Sequence, residues 1–360
     1  MSSMTHLSII FLSISSLFQS INSNRLLNTS SGIYEGRTVK HDGILVQQYL
    51  GIEYARIHKR FDRATPITRQ NDEIISANYS GTSCKPTAGS CIGQSRNQKT
   101  NSYCLINYGI FSIESMPVEQ CLFLNVFIPM QNKTSRKKAV FMWIHGGSGQ
   151  VGSGNLFDGT VFAALGDVIV VTFNFRLNLF GFLSSGDERL EGNLGLYDQA
   201  LVLDWIYINA DALGADRKRI TVGGHSAGAP HAYFLAISPL NRGRIRRLIL
   251  QSGSPFNVWS HLKAHDAMEK FNIVAKDNAC GHFRTFNETL TCLREREFDV
   301  IEEQEHQSYT SANHTNVVIT GDFMSRFQET FEHNDSLTNV DFLIGATDDE
   351  GKLNFDVQFY

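Results

Sequence analysis

The stretch from Ile220 to Ala229 carries a serine in a setting that can make its hydroxyl reactive. Its sequence, Ile-Thr-Val-Gly-Gly-His-Ser-Ala-Gly-Ala, predicts a buried strand that turns sharply into a helix, with Ser226 at the turn. Gly224 and Gly228 flank the serine and lack a Cβ that would collide where strand and helix cross. The turn would hold the hydroxyl out at the carboxyl end of a sheet, within reach of a base. An ordinary glycine-rich turn has the same spacing, so a nucleophile needs support from the rest of the chain.

A second segment with chemical potential follows another apolar run. Ala139 to Ile144 is continuously apolar and leads into His145-Gly146-Gly147-Ser148-Gly149. Uninterrupted apolar runs are typical of strands that are covered on both faces. Glycines after such a strand can simply make a turn, or they can expose backbone N–H groups to a ligand.

The elements that must position these residues alternate along the chain. The apolar patterns predict strands and helices in succession, which is typical of a mostly parallel, doubly wound sheet and an α/β fold. The predicted strands are Leu122 to Ile128, Ala139 to Ile144, Val168 to Phe173, Ile220 to Gly223, Arg247 to Gln251 and Val340 to Gly345, and the predicted helices are Leu196 to Ile208 and Ala227 to Ile237.

The region before these elements has a different character. Gly43 to Ala55 alternates and predicts edge strands of an antiparallel start. Residues 62 to 120 are polar and rich in cysteine, and we expect a long surface loop that disulfides hold in place. No repeat, low-complexity tract or domain linker interrupts the sequence.

Composition narrows the classes of partner. The chain has 360 residues, a formal net charge of -4 and a pI of about 6.3. Net charge gives no basic surface for nucleic acid or anionic lipid, so partners must be inferred from sites. Neither a C-x-x-C pair nor a histidine cluster suggests a metal, and nothing in the sequence suggests a cofactor.

The first residues and the sequence motifs for modification predict export. Leu7 to Ile21 is apolar with interspersed serine and gives way to a polar segment, so we expect residues 1–23 to be a signal peptide and 24–360 to be one domain. Its only basic side chain before the apolar run is His6, so an N-terminal membrane anchor is the alternative. Six Asn-x-Ser/Thr triplets predict glycosylation, at Asn28, Asn78, Asn132, Asn287, Asn313 and Asn334. The chain is therefore expected to be secreted, with six cysteines in disulfides.

Several motifs in order resemble the type B carboxylesterase family, the cholinesterase-like branch of the α/β-hydrolases. The similarity covers roughly residues 32 to 355. It rests on Glu119 to Val126, Gly166 to Leu183, Gly192 to Gln199, Val222 to Ala229 and Gln251-Ser252-Gly253. So many matches in order make a chance similarity improbable.

The resemblance implies a mechanism and assigns roles. Ser226 would be the nucleophile of an ester hydrolase that forms an acyl-enzyme, activated by a histidine that a carboxylate orients. Gly147, Ser148 and Ala227 match the positions whose backbone N–H groups form the oxyanion hole, each worth on the order of 3 kcal/mol. Glu350 matches the acid of the triad, with Asp349 as the second choice.

The resemblance also implies features around the site. Trp259 matches a tryptophan of the acyl pocket, although an ordinary buried aromatic is nearly as good an interpretation. Cys280 is expected to pair with Cys292, and Cys121 with an upstream cysteine. We choose Cys91 for that partner, which leaves Cys84 with Cys104, while the upstream connectivity stays open on sequence alone.

The sequence departs from the family in three ways. The catalytic histidine of the family lies about a hundred residues beyond the acid, and no histidine follows His333 here. We therefore expect the chain as written to lack the base, the last strand and the C-terminal helices, and to show little triad catalysis. His225 stands where many relatives carry Glu, and an imidazole adjacent to the nucleophile is poorly placed to act as its base. Phe111 falls where cholinesterases carry the tryptophan that binds quaternary ammonium, which argues against choline esters.

Two functions from different classes remain. The first is a secreted serine carboxylesterase that acts on a small-molecule carboxylic ester. The second is a catalytically silent adhesion or binding protein like the neuroligins, which use the same fold to recognise partners. Ser226 favours the first, because silent relatives usually lose the nucleophile. The oligomeric state and any membrane anchor cannot be read from the sequence.

Overall fold

A computed structural model describes most of the chain. It covers residues 25–70, 72–84, 119–131, 136–241, 243–297, 317–318, 337 and 339–350. The signal peptide predicted at 1–23, the sequons at Asn132, Asn313 and Asn334, and Cys91 lie outside these residues.

The strands form one large sheet and three small ones. They are β1 (Leu26–Thr29), β2 (Gly32–Glu35), β3 (Arg37–His41), β4 (Ile44–Glu53), β5 (Ala55–Arg56), β6 (Thr65–Pro66), β7 (Ile74–Ser76), β8 (Phe123–Pro129), β9 (Lys138–Ile144), β10 (Ile169–Phe173), β11 (Ala215–His225), β12 (Arg247–Gln251), β13 (His261–Leu262), β14 (Val317–Val318) and β15 (Asp341–Gly345). The large sheet has eight strands in the order β15-β12-β11-β9-β10-β8-β4-β3. Its half from β15 to β10 is parallel, and the pairs from β10 to β3 are antiparallel.

Helices cover both faces of this sheet. They are α1 (Thr160–Gly166), α2 (Asn178–Phe182), α3 (Leu194–Ile208), α4 (Ala210–Leu213), α5 (Gly228–Ile237), α6 (Ala264–Asp277) and α7 (Phe286–Glu295). Helix α5 packs on β11 and β12, whereas α1 packs on β4 and β8. Along β10 every residue is buried, and Val171 joins the main core while its neighbour Val170 joins a smaller core with Ala163 and Ala164 of α1. Successive side chains of a strand point to opposite faces, so the sheet is covered twice, as the apolar runs predicted.

The parallel strands bring their carboxyl ends to one edge. Gly224 pairs with Ile144 of β9 and with Leu250 of β12, and Gln251 pairs with Gly345 of β15. The segments that follow β9, β11, β12 and β15 therefore leave the sheet side by side. In open α/β sheets this edge is where ligands bind.

The antiparallel start is as predicted, with one refinement. β3 and β4 pair antiparallel and β3 is the edge strand, while β4 lies one strand further in, against β8. The region after it is less irregular than we expected. Residues 62–84 include β6 and β7, and β7 extends the small sheet of β1 and β2.

The upstream disulfide corrects our prediction. Cys121 pairs with Cys84, not with Cys91. Residues 81–84 run beside the start of β8, because the Thr82 hydroxyl donates to the Gln120 carbonyl at 3.2 Å and a Cβ on Gly81 would meet the Phe123 ring. The Cα atoms of Cys84 and Cys121 are 4.8 Å apart, within the range a disulfide needs.

The downstream disulfide is as predicted. Cys280 pairs with Cys292, with Cα atoms 5.8 Å apart. Cys292 lies on α7, which begins with a capping box in which Thr285 and Glu288 satisfy each other's backbone N–H groups. The bond ties the segment after α6 to α7.

The other edge of the sheet is β15. All five of its residues are exposed, including Phe342, Leu343 and Ile344. Among the described residues it pairs with β12 alone, so our prediction of an exposed edge strand holds for this part of the chain.

Candidate active site

Ser226 occupies a sharp turn between β11 and α5. Its φ is 53°, in the left-handed region that non-glycine residues rarely adopt. The conformation is held from both sides, since the Ser226 N–H donates to the Gln251 carbonyl at 2.8 Å and the Ala229 N–H donates to the Ser226 carbonyl at 3.0 Å. Ser226 is half-buried, so its side chain is not enclosed in the packed interior.

The glycines around Ser226 are there because strand and helix nearly touch. A Cβ on Gly224 would lie 2.0 Å from the carbonyl oxygen of Gly228, and one on Gly228 would lie 2.3 Å from the carbonyl oxygen of Ile144. No side chain fits at such distances. The steric argument made from the sequence therefore describes the turn correctly.

The glycine-rich segment after β9 crosses directly over this turn. A Cβ on Gly146 would lie 3.1 Å from the Cβ of Ser226. Gly147 and Ser148 follow with φ values of 113° and 57°, and the N–H groups of Gln150 and Val151 both donate to the Gly147 carbonyl. The carbonyl of Gly147 is thus held in a tight turn next to the serine.

Ala227 contributes the third expected donor by its place in the chain. It caps the N-terminus of α5, with α5 beginning at Gly228. The first N–H groups of a helix have no partner within the helix and carry the positive end of its dipole. Ala227 lies directly after Ser226, so its N–H faces the region where charge would develop.

Two buried histidines lie beneath the glycine-rich segment. His145 stacks on Phe175 with ring centroids 4.5 Å apart, and its Nδ1 is 2.8 Å from the Gly146 carbonyl oxygen. Phe175 also contacts His231 of α5, at 5.8 Å between ring centroids. Burial lowers the pKa of His145 to about 4 and that of His231 to about 3, so both are neutral at pH 7.

Glu350 lies at the same edge, after β15. The N–H of Ser252, just beyond β12, donates to the Gly345 carbonyl at 2.8 Å, which holds the two strand ends together. A hydrogen bond from the Ser252 hydroxyl, followed by one from the Thr347 N–H, lowers the pKa of the Glu350 carboxyl, and the charge of His225 adds to this effect. The carboxylate therefore sits near the residue that precedes Ser226.

The remaining predicted residues are distributed around this edge. His225 is exposed, with its Nδ1 3.1 Å from the position of a Cβ on Gly146. Trp259 is partly exposed on the turn that follows β12, and Phe111 lies outside the described residues. Asn28 and Asn287 are exposed, whereas Asn78 is half-buried and donates to Ser76.

Sequence reasoning missed Ser252 and the pair of buried histidines. Ser252 was visible as the middle residue of Gln251-Ser252-Gly253, but nothing in that motif indicates a bond to a carboxylate beyond the next strand. His145 and His231 are far apart in sequence and meet only through Phe175. Position in the sheet, not local pattern, joins these groups.

Two kinds of site are not found in the described part of the chain. Its histidines, cysteines and acids form no group that could hold a metal ion. None of its helices combines the length and the apolar character needed to cross a bilayer.

Known proteins share much of this sequence. Residues 23–359 match the model of the carboxylesterase family. Neuroligin-2 of Mus musculus is 33% identical over 252 residues, which are 65% of this chain and 30% of that protein. Acetylcholinesterase-1 of Trittame loki is 33% identical over 284 residues, or 75% of this chain and 48% of that protein. Bile salt-activated lipase of Mus musculus is 44% identical over 151 residues, or 39% of this chain and 25% of the lipase.

The chain thus spans less than half the length of these relatives. The family match nevertheless covers most of its residues. Together with the eight-stranded sheet and the serine turn at its carboxyl edge, this match shows that the chain belongs to the carboxylesterase family, whose members have the α/β-hydrolase fold.

Proposed function

We propose that the chain is a serine carboxylic ester hydrolase that works through an acyl-enzyme on Ser226. The observation that carries this proposal is the left-handed backbone of Ser226, held by hydrogen bonds on both sides and crossed by Gly146. Strain of this kind costs on the order of 1–3 kcal/mol and persists mainly where function uses it. In this family the function at such a turn is nucleophilic attack.

The reaction would run in two halves. The Ser226 oxygen bonds to the ester carbonyl carbon while a base takes its proton, and the carbonyl electron pair moves onto oxygen. The N–H groups of Gly147, Ser148 and Ala227 would stabilise this oxyanion. Collapse breaks the bond to the alcohol, which leaves with the proton from the base. Water then attacks the acyl-enzyme by the same steps and releases the acid.

Glu350 would orient the base. Its pKa is lowered by hydrogen bonds from Ser252 and Thr347, so it is a carboxylate throughout the neutral range and can accept an imidazole N–H. We do not assign the base to His225, because adjacent residues on a sharp turn poorly align an imidazole nitrogen with the neighbouring hydroxyl. His145 and His231 are buried and already engaged.

The substrate we propose is a small carboxylic ester, with His225 and Trp259 at the rim of its pocket. Relatives named as an acetylcholinesterase and a lipase show that the family acts on esters of different kinds. We further propose that residues 1–23 direct export. The two disulfides support this, since such bonds persist in oxidising compartments.

A non-catalytic binding function is the second candidate. The neuroligin-2 similarity over 65% of the chain favours it. Such a protein would use the same fold to recognise a partner and would not depend on the Ser226 hydroxyl.

Hydrolysis of a neutral p-nitrophenyl ester separates the two candidates. The protein, expressed from its complete transcript, is compared with Ser226→Ala, Glu350→Gln and a control, Ser254→Ala. We expect Ser226→Ala to lower kcat/KM by about 10³-fold or more and Glu350→Gln by about 10²-fold or more, with the control unchanged. Folded protein whose turnover does not depend on Ser226 would support the binding function instead.

A further inference from the structure

The edge of the large sheet opposite Ser226 carries a dense band of positive charge. It lies at the amino ends of four neighbouring parallel strands, β9, β11, β12 and β15. We define this basic edge by its nine cations and five carboxylates. They are Arg136, Lys137, Lys138, Arg217, Lys218, Arg219, Arg244, Arg246 and Arg247, with Asp167, Asp204, Asp211, Asp216 and Asp341.

Backbone contacts bring these residues together from distant parts of the sequence. The Lys138 N–H donates to the Gly214 carbonyl at 2.8 Å, and the Arg246 N–H donates to the Ile220 carbonyl at 2.9 Å. The Arg219 guanidinium donates to the Lys137 carbonyl at 3.3 Å. Strands are about 4.8 Å apart, so the basic edge extends over roughly 15 Å.

The carboxylates cannot neutralise this band, because two of them are shared. Asp211 pairs with both Lys137 and Arg217, and Asp341 lies within 3.9 Å of Arg246 and 3.4 Å of Arg247. The side chains of Lys137 and Asp211 are 55% and 66% exposed, and ion pairs this exposed are weak. The cations can therefore exchange these partners for a stronger anion.

An aromatic ring fixes part of the band in place. The guanidinium groups of Arg217 and Arg244 lie 5.6 Å and 5.3 Å from the centre of the Tyr207 ring at the end of α3. Cation–π contacts of this kind hold Arg side chains without neutralising them. These two arginines are thus ordered in advance, which reduces the entropy lost when a ligand binds.

The chemistry of the band selects an extended polyanion. The chain as a whole has a net charge of -4, so its surface away from the basic edge is acidic and repels the same ligand. The two disulfides indicate an oxidising compartment, where polyanions are sulfated polysaccharides and nucleic acids are scarce.

We propose that the basic edge binds a sulfated polysaccharide. Because the carboxyl edge with Ser226 is at the other end of the strands, the bound chain would tether the domain and leave its candidate active site open. This inference does not depend on the proposed function, since binding requires no reaction at Ser226.

Binding to heparin in solution tests it, at several NaCl concentrations with fold monitored by circular dichroism. Lys218→Ala/Arg219→Ala removes two exposed cations of the basic edge, while Lys59→Ala/Lys276→Ala removes the same charge from exposed positions elsewhere. We expect the first variant to weaken binding at least about fivefold near 0.1 M salt and to lower the slope of log Kd against log salt, with the second close to wild type. The charge-preserving variant Lys218→Arg/Arg219→Lys should retain binding.

Several results would overturn the proposal. Equal loss in both alanine variants would mean nonspecific attraction, and loss in the charge-preserving variant would contradict a mechanism based on charge. No heparin binding near 0.1 M salt, or tighter binding to single-stranded RNA or to phosphatidylserine vesicles at the same ionic strength, would exclude a sulfated polysaccharide as the ligand.

Discussion

At the residue scale, the backbone of Ser226 depends on neighbours that leave it room. Its carbonyl and N–H are both bonded, and a Cβ on Gly253 would lie 2.3 Å from its carbonyl oxygen. The turn is therefore packed so closely that no other conformation fits. This rigidity is what a positioned nucleophile requires.

We predict that Gly224→Ala destabilises the fold by about 2–4 kcal/mol. The added Cβ would lie 2.0 Å from the Gly228 carbonyl oxygen, so strand and helix must separate. Urea unfolding measures the loss. Gly345→Ala is the control, because a Cβ there meets nothing within 4 Å and its unfolding midpoint should hardly change. Equal stability of the two variants would refute the close crossing.

A second prediction concerns Glu350 and Ser252. The Ser252 hydroxyl is the largest cause of the lowered pKa of Glu350, because it stabilises the charged carboxylate. Ser252→Ala should therefore raise the pKa of Glu350 toward its ordinary value, as followed by NMR titration of the side-chain carboxyl carbon. Ser254→Ala should leave that pKa unchanged. If Ser252→Ala leaves it unchanged as well, the hydrogen bond is absent in solution.

Residue-level prediction from sequence worked where the cause is local. The glycines around Ser226 were predictable because their clashes arise between residues only a few positions apart. The partner of Cys121 was predicted wrongly, since it depends on residues 81–84 running along β8. That arrangement has no signature in the cysteine spacing.

At the element scale, the glycine-rich segment after β9 is supported by rings from three elements. His145 follows β9, Phe175 follows β10 and His231 belongs to α5, and the ring of Phe175 contacts both histidines. Gln199 of α3 lies 3.0 Å from His231 Nδ1. Neutral histidines thus form part of the packing under the candidate active site.

We predict that stability falls as the pH drops below about 6.5, the pKa of an unfolded histidine. Below that pH the unfolded chain gains protons that the buried rings, with pKa values of about 4 and about 3, do not. Each ring should make the free energy of unfolding fall by about 1.4 kcal/mol per pH unit between about pH 6 and pH 4, and contribute no slope well above pH 6.5.

Urea unfolding at pH 7, 6 and 5 checks this expectation. His231→Gln keeps an amide beside Gln199 and removes one titrating ring, so the slope between pH 6 and pH 5 should become shallower. His265→Gln is the control, because that side chain is 78% exposed. A slope that His265→Gln changes as much as His231→Gln would show that the buried rings are not its source.

Element boundaries were predictable where apolar residues mark them. β12 was predicted at its observed bounds, Arg247–Gln251. β11 begins at Ala215 although we predicted Ile220, because the residues between are charged and lie at the sheet edge. Its pairing with β9 shifts register there, which an apolar pattern does not reveal.

At the scale of the whole molecule, one buried ion pair joins distant parts of the chain. Arg176, after β10, donates through Nε and Nη2 to both carboxylate oxygens of Asp198 on α3, at 2.8 and 2.7 Å. Its Nη1 donates to the Asp62 carbonyl in the N-terminal region at 2.7 Å. Both side chains are almost fully buried, at 4% and 0% exposure.

We predict that Asp198→Asn lowers the free energy of unfolding by about 3–5 kcal/mol. The substitution leaves the Arg176 charge buried without its partner. Asp204→Asn, on the same helix, removes an ion pair with Arg244 that is 39% exposed on the aspartate side and should cost at most about 1 kcal/mol. Urea unfolding of both variants measures the difference, and similar costs would contradict the role given to the buried pair.

The sequence predicted the architecture better than the distribution of charge. Apolar runs separated by helical patterns allow few arrangements other than a doubly wound sheet. Net charge, in contrast, says nothing about position, so we expected no basic surface. The structure corrects this, because the amino ends of β9, β11 and β12 bring cations from three segments together.

The account rests on the Ser226 hydroxyl being reactive and accessible. Incubation of the folded protein with a fluorophosphonate, followed by peptide mass spectrometry, tests this most directly. We predict one covalent adduct, on Ser226, that is absent from Ser226→Ala and unaffected in Ser254→Ala. A folded protein that remains unlabelled after prolonged incubation, or that is labelled at another residue, would contradict the central claim.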